Sequence, residues 1–510
     1  MDINSLLQPD IEPIDEVKPL IAIGACFDIP TGFMMDGLYG NKVLNGGLGV
    51  LDAVVGPGNS FKSTILHYRV LTACSRISKD STCSTYDTEV NIHAWHLRDF
   101  QKGVFTIKDD VDWLRTKRWV VTNSAIYSGD EWYDKFRDFL FAKKKHKKQL
   151  ERETGFLDPE TGKAMKMVLP TFTEVDSFSQ FKTKDVIKMQ EDNSLGDSGA
   201  NTSFMRQGLQ KTRFLDEIPP LANGTYSFVS LTAHFGEKIE MDPRNPSRKQ
   251  LSALRQNEKI MGVPRLFLYL MDNCWLTQNT SRNNNQTTGA PEFPRTPEEN
   301  QLKGSTDQNI VTLKQLRSKS GPEGAILRIF VSQSEGVIPY MTEFLNIKEN
   351  GKNDKPGNKN GFGLDGSVQD YFCVLCPEIK LSRTKVFGKA KEHPELRRAF
   401  NICSEMLQMR TQWAEKYASY GKDFFCDPQQ LFDDLTAAGY DWNMILHLTR
   451  GWTPLLGEHM DTLELSTFDL LRMRRGEYHP YWLEADKKTI KKEWAKGLDK
   501  ELLEKLGINK

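Results

Sequence analysis

No run of apolar residues in this 510-residue chain approaches the roughly 20 needed to cross a bilayer as a helix, so a membrane anchor of that kind is excluded. The opening Met1-Asp2-Ile3-Asn4 lacks the basic-then-apolar character of an export signal, and a cytoplasmic protein is expected. Cysteine is sparse: eight residues lie scattered along the chain, too dispersed for a disulfide framework and suited to a reducing compartment. Cys373-x-x-Cys376 has no second such pair, and the intervening Val374-Leu375 read as strand, so packing is expected there rather than zinc. Net charge of one sign is also missing, because 68 basic residues balance 68 acidic ones. Any contact with nucleic acid must then come from local clusters.

What is present is a strand that runs into a phosphate-type loop, Val54-Val55-Gly56-Pro57-Gly58-Asn59-Ser60-Phe61-Lys62-Ser63-Thr64. Such a loop wraps phosphates with backbone N–H groups, neutralises them with its lysine and offers a hydroxyl to Mg²⁺. Here Gly56 to Thr64 would hold the nucleotide, Lys62 its terminal phosphates and Ser63 the metal. The pattern G-x-x-x-x-G-K-[ST] is broken at one place, since Phe61 stands where the last glycine belongs.

Strands are expected at Val50–Val55, Thr82–Tyr86, after Pro170 toward Asp176, and at Tyr226–His234, with a helix over Ser63–Ser78. Strands alternating with helical stretches imply an α/β fold with a largely parallel sheet flanked by helices. Residues 1–40 read as an N-terminal arm able to dock a neighbouring subunit, and 41–349 as the core. Residues 129–166 form a charged insertion whose Lys143-Lys144-Lys145-His146-Lys147-Lys148 run reads as a solvated helix face. Residues 278–308, rich in Asn, Thr, Gln and Pro, read as a disordered surface excursion. A Gly/Asn/Lys linker at 350–363 precedes a C-terminal region, 350–510 in all, largely helical over 394–420 and 483–506.

In an open parallel sheet the carboxyl ends of the strands share one crevice. Asp176 ends an apolar strand, where a Mg²⁺-organising carboxylate must sit. Glu89 follows the neighbouring strand and can orient a water, and His234 ends another and can sense the terminal phosphate. Each has a plainer reading: Asp176-Ser177 as a helix cap, Glu89 as a surface acid, His234 as a satisfied buried histidine.

With the order of these elements in view, the chain resembles the RecA-type recombinases, most closely their tailed-phage branch. The resemblance is carried by Gly46-Gly47-Leu48-Gly49 and by Gly56-Pro57-x-x-Ser60-Phe61-Lys62-Ser63, in which the phage branch also sets Phe before Lys. It continues in Tyr86-Asp87-Thr88-Glu89, in Asp176-Ser177, and in His234 with Glu237-Lys238-Ile239-Glu240-Met241. Farther on, Leu313 to Lys319 and Ala325 to Val331 resemble the hairpin that supplies basic residues to a neighbouring subunit's ATP. It covers about residues 40–345, more weakly to about 410.

The resemblance implies a RecA-like ATPase core that forms a helical filament on single-stranded DNA. It implies pairing with homologous duplex DNA and strand exchange in recombination and repair. ATP and Mg²⁺ would be required, with single-strand-binding and mediator proteins as accessory partners. The setting would be cytoplasmic and DNA-associated, the host-cell interior if the chain is of phage origin. By carry-over Lys62 and Ser63 hold phosphates and Mg²⁺, Glu89 activates water, Asp176 orders the metal's water shell, His234 couples phosphate to DNA, and Arg317 and Lys319 act in trans.

The DNA is expected on two cation-bearing segments. One carries Lys238, Arg244, Arg248, Lys249, Arg255 and Lys259; the other, a mobile stretch after Asp176, carries Lys182, Lys184 and Lys188, with Arg206 beyond it. Two other classes compete: a hexameric RecA-fold helicase, against which only about 40 residues precede the core, and a nucleotide-binding paralogue with a regulatory or structural role.

Overall fold

In the computed structural model of the chain, residues 18–107, 111–192, 198–237, 249–251, 253–304, 307–351 and 360–508 are described. The alternating apolar runs assemble into one sheet. Its first half comprises β1 (Leu51–Gly56), helix α1 (Lys62–Ile77), β2 (Thr82–Asp87), β3 (Trp119–Asn123), α2 (Gly129–Lys145), β4 (Thr171–Asp176), α3 (Lys184–Asp192) and α4 (Ser198–Thr225). Then follow β5 (Ser227–Glu237), β6 (Glu258–Ile260), β7 (Asn273–Arg282), β8 (Gln308–Ser318), β9 (Ile326–Ser332), β10 (Gly336–Val337) and α5 (Pro339–Asn350).

The strand order is β10-β9-β8-β7-β1-β5-β4-β2-β3, with β6 paired to β5 off this path. From β3 to β7 every pairing is parallel, and β8 to β10 close that edge antiparallel. The protein is thus α/β, a mostly parallel central sheet flanked by helices. Every residue of β1 is buried. Its one charge, Asp52, is met by Arg69 of α1, and burial outweighs that contact enough to push the carboxyl up to about 7.

Register positions the site. Gly56 lies opposite His234 across β1 and β5, and Asp87 opposite Asp176 across β2 and β4. The carboxyl ends of four adjacent strands therefore share one edge of the sheet. Pairing of β4 begins after Pro170, as the missing proline N–H requires, and Ala164–Val168 joins Glu151–Leu157 in a separate hairpin instead.

Several expectations need correction. The charged insertion 129–166 contributes to the core. Helix α2 starts in a reciprocal cap between Ser128 and Glu131 and buries Trp132, Tyr133, Phe136 and Leu140. Of the lysine run, Lys144, Lys145, His146, Lys147 and Lys148 are exposed as a solvated face requires, but Lys143 is buried, donating to Thr171 Oγ1 at 2.9 Å and Ser227 Oγ at 3.2 Å. The segment 278–308 is not a disordered excursion over its described residues. It opens as β7, Phe293 is buried in a core, and Arg295 forks onto Asp307 at 2.6 and 3.0 Å.

The stretch 483–506 is mostly not helical. Asp486 takes the N–H groups of Lys488 and Thr489 into a turn, leaving only Lys492–Ala495 and Lys500–Lys505 as short helices. The helical pattern near 394 does form a helix, α6 (Pro394–Gln412).

The apolar residues divide into two main cores. One fills both faces of the parallel sheet. The second draws on both sides of residue 350, gathering Ala22, Ile29 and Leu44, the inner face of α5 and the C-terminal elements around α6. Trp413 Nε1 donates to Ile29 O at 3.1 Å, clasping the described part of the N-terminal arm. Among the described residues no helix is long and apolar enough to cross a membrane.

Candidate functional site

The loop between β1 and α1 is shaped by close approach. A Cβ at Gly56 would lie 1.7 Å from Thr277 Oγ1, so only glycine fits where β1 meets β7. Asn59 and Phe61 adopt left-handed backbone, with φ of 54° and 62°. Phe61 thus holds the conformation that the usual glycine supplies, and its ring packs against the sheet's core. The loop is braced by Ser60 Oγ, which donates to Pro57 O at 2.7 Å and accepts from Thr277 Oγ1 at 2.7 Å.

Lys62 is buried, and its Nζ donates back to Pro57 O at 2.6 Å. No acid occupies the first turn of α1, so its free N–H groups and dipole face the loop uncompensated. Burial pushes the Lys62 ammonium down, opposed by the charges of Asp176 and Glu89. Those three side chains therefore lie near enough for their charges to interact.

Asp176 is buried and takes hydrogen bonds from Ser63 and Thr232; burial still holds its carboxyl above the usual range. Beneath it lies a polar layer. His67 of α1 sits 2.8 Å from Glu174, which also accepts from Thr85 Oγ1 at 2.5 Å. Burial pushes His67 down, but Glu174 more than offsets it and leaves the imidazole raised.

Glu89 stands at the mouth, its Oε1 3.0 Å from Ser177 Oγ and 3.0 Å from His234 Nε2. The turn that carries it is fixed by Asp87, whose buried carboxylate accepts the N–H groups of Glu89, Val90, Asn91 and Ile92, each at 2.9 Å. Neither Asp87 in this role nor Thr277 emerges from sequence reasoning. The only signal for Asp87 was its place at a strand end two residues before the glutamate.

His234 is tied into its neighbours through its backbone. Its N–H donates to Ser179 Oγ at 2.9 Å, and its carbonyl accepts from Met261 N at 2.8 Å. Immediately beyond it, Phe235 to Glu237 pair with Glu258 to Ile260, so the cation-rich segment leaves and returns beside the histidine. Lys238, Arg244 and Arg248 lie outside the described residues. Lys249, Arg255 and Lys259 are exposed, although Arg255 lies near Glu258.

Of the second segment, residues 193–197 lie outside the described residues; on either side stand the helices α3 and α4, and Val186 of α3 is buried. Lys184 pairs with Glu131, Lys182 reaches Gln190 at 3.2 Å, and Lys188 and Arg206 are exposed. Arg317 and Lys319 are not brought to the loop of their own chain. Arg317 pairs with Cys274, which lies beside Ala53, and Lys319 bonds Asp272 at 2.9 Å, so both mark the opposite edge of the sheet from Gly56.

The thiols of Cys373 and Cys403 lie 3.9 Å apart in the second core, and among the described residues no cluster of His, Cys, Asp and Glu has the make-up of a metal site.

Neither a scan against protein-family models nor a search of curated proteins finds a match for the chain.

Proposed function

We propose that the protein is a DNA-dependent ATPase with a RecA-like core, which forms filaments on single-stranded DNA and promotes homologous pairing and strand exchange. The observation that carries this reading is the contact of Glu89 with His234. A carboxylate beside the phosphate-type loop bonds the residue from which a cation-rich segment departs.

The residues fit ATP. A glycine that no other residue can replace, a lysine folded into its own loop and a helix start free of acids make a cradle for a polyphosphate. Mg²⁺ would be held by the Ser63 hydroxyl, with Asp176 accepting from its water shell. When bound, the ion neutralises phosphate charge. Lys62 would fold away from Pro57 onto the terminal phosphates. Glu89 would accept a proton from the attacking water as the bond to the terminal phosphorus forms and the one to the departing nucleoside diphosphate breaks. While His234 holds Oε1, that carboxylate is engaged. Freed by a shift of His234 toward phosphate, it is available as a base.

Arg317 and Lys319, remote from their own loop, suit contribution to a neighbour's site, and a completing cation can be worth roughly 10³–10⁵ in rate. Hydrolysis would then depend on assembly.

The test is ATP turnover by the purified chain with and without single-stranded DNA. Wild type should be stimulated by the DNA, Lys62→Ala should be inactive, and Glu89→Gln should bind DNA without turnover. Turnover surviving Lys62→Ala, or indifference to DNA, would contradict the reading.

A further inference from the structure

Lys211, on α4, is only 2% exposed and has no carboxylate partner among the described residues, and a buried ammonium so placed is costly to keep. Both of its acceptors are backbone carbonyls, Ser179 O at 2.6 Å and Gly262 O at 2.8 Å. The ring of Phe178 lies 5.8 Å from the ammonium. If packing were its only purpose, methionine would fill the same space without desolvating a charge.

Its acceptors belong to a closed joint. Ser179 lies in the turn that follows Asp176, and its hydroxyl takes the His234 N–H at 2.9 Å while donating to Met261 O at 2.8 Å. Met261 N closes the ring onto His234 O at 2.8 Å. Gly262 has φ +66°, and a Cβ there would sit 3.1 Å from Ser179 O, so the two backbones touch. Helix α4, which supplies Lys211, starts directly after residues 193–197, between the two cation-bearing helices. One ammonium group thus bridges the turn after the metal-site strand and the return of the segment that begins beyond His234, from the helix next to the other segment.

We propose that Lys211 is a positioning residue that clamps the return of the 238–257 segment to the strand end bearing His234, transmitting polynucleotide contact to the nucleotide site. This rests on the function proposed above. Burial pushes Lys211 down to about 7, with Lys182 acting in the same direction. The neutral amine would hold two carbonyls more weakly than the ammonium does, so the coupling should fade as pH rises through neutrality.

The experiment measures ATP turnover of the full chain with and without oligothymidylate at about pH 6.5 and about pH 8.5, for wild type, Lys211→Met and Lys211→Arg, beside the affinity for a fluorescent ATP analogue. Wild type that ignores the DNA at both pH values removes the functional reading, and this proposal with it. With wild-type stimulation present, Lys211→Met should lower the stimulation ratio by about tenfold while leaving DNA-free turnover and analogue affinity within about twofold. A ratio within about twofold of wild type, or an equal fall in DNA-free turnover, would overturn the clamp. If Lys211→Met does not fold, Lys211→Arg decides. It should keep the stimulation at both pH values where wild type loses part of it, and an identical pH profile in the two proteins would overturn the proposal.

Discussion

Asp87 shows how one side chain can set the geometry of another. Four backbone N–H groups converge on its carboxylate, and the turn they close carries Glu89. Asn can accept on one oxygen only. Asp87→Asn should therefore release the turn and cut kcat by about 10–10², with KM little changed, since misplacement by about 1 Å can cost that much. Steady-state kinetics check this, and an unchanged kcat would mean Glu89 is held by Ser177 and His234 alone.

Phe61 invites the opposite test. Its left-handed backbone costs roughly 1–2 kcal/mol relative to glycine, offset by a ring packed on the core. Phe61→Gly should leave nucleotide affinity within about threefold, because the cradle is made by backbone and Lys62. Titration with a fluorescent analogue measures it. At this scale the loop Gly56–Ser63 was legible because its chemistry is contiguous. Thr277 and Ser179 were not, because each acquires its role only when a distant strand folds beside it.

Among the elements, the paired exit and return of the cation-rich segment is the feature with most functional weight. The pairing of β5 with β6 brings Lys259 alongside Gly236, two residues from His234. Replacing Lys249 and Lys259 together with Ala should weaken DNA binding at every sequence and flatten the dependence of log affinity on log salt by roughly 1–2 units. Fluorescence anisotropy across a salt series reads this, and an unchanged slope would move the DNA elsewhere.

Helix α2 teaches a different lesson. Its lysine run reads as a solvated face because charge dominates the local pattern, and residues 144–148 are indeed exposed, yet the helix period turns Lys143 inward among the hydroxyls of Thr171 and Ser227. Burial pushes Lys143 from its ordinary 10.5 to about 7. Between those values the unfolded chain binds the extra proton and the folded one does not, so stability should rise with pH across that window. Lys211 contributes in the same direction. Urea midpoints at about pH 7 and about pH 9 should show the rise, and Lys143→Met should remove part of it; an equal rise in the variant would contradict the assignment.

At the scale of the whole molecule, the sheet presents two unlike edges. One carries the loop, Asp176, Glu89 and His234; the other carries Arg317 and Lys319. The α/β class and the shared crevice were legible from strand ends and alternation. The second core was not, since it joins Ile29, α5 and α6 across a span no periodicity connects. A head-to-tail assembly would set one subunit's basic edge against the next subunit's loop. Mixing inactive Lys62→Ala with inactive Arg317→Ala/Lys319→Ala should then restore turnover, to about a quarter of wild type if subunits mix at random, because one interface in four would carry both intact halves. The central claim, that a nucleotide cradle and a polynucleotide grip act together through assembly, is tested most directly by negative-stain imaging with single-stranded DNA and a non-hydrolysable ATP analogue. Regular helical filaments that require both ligands are the predicted result; dispersed particles or closed rings under the same conditions would contradict it.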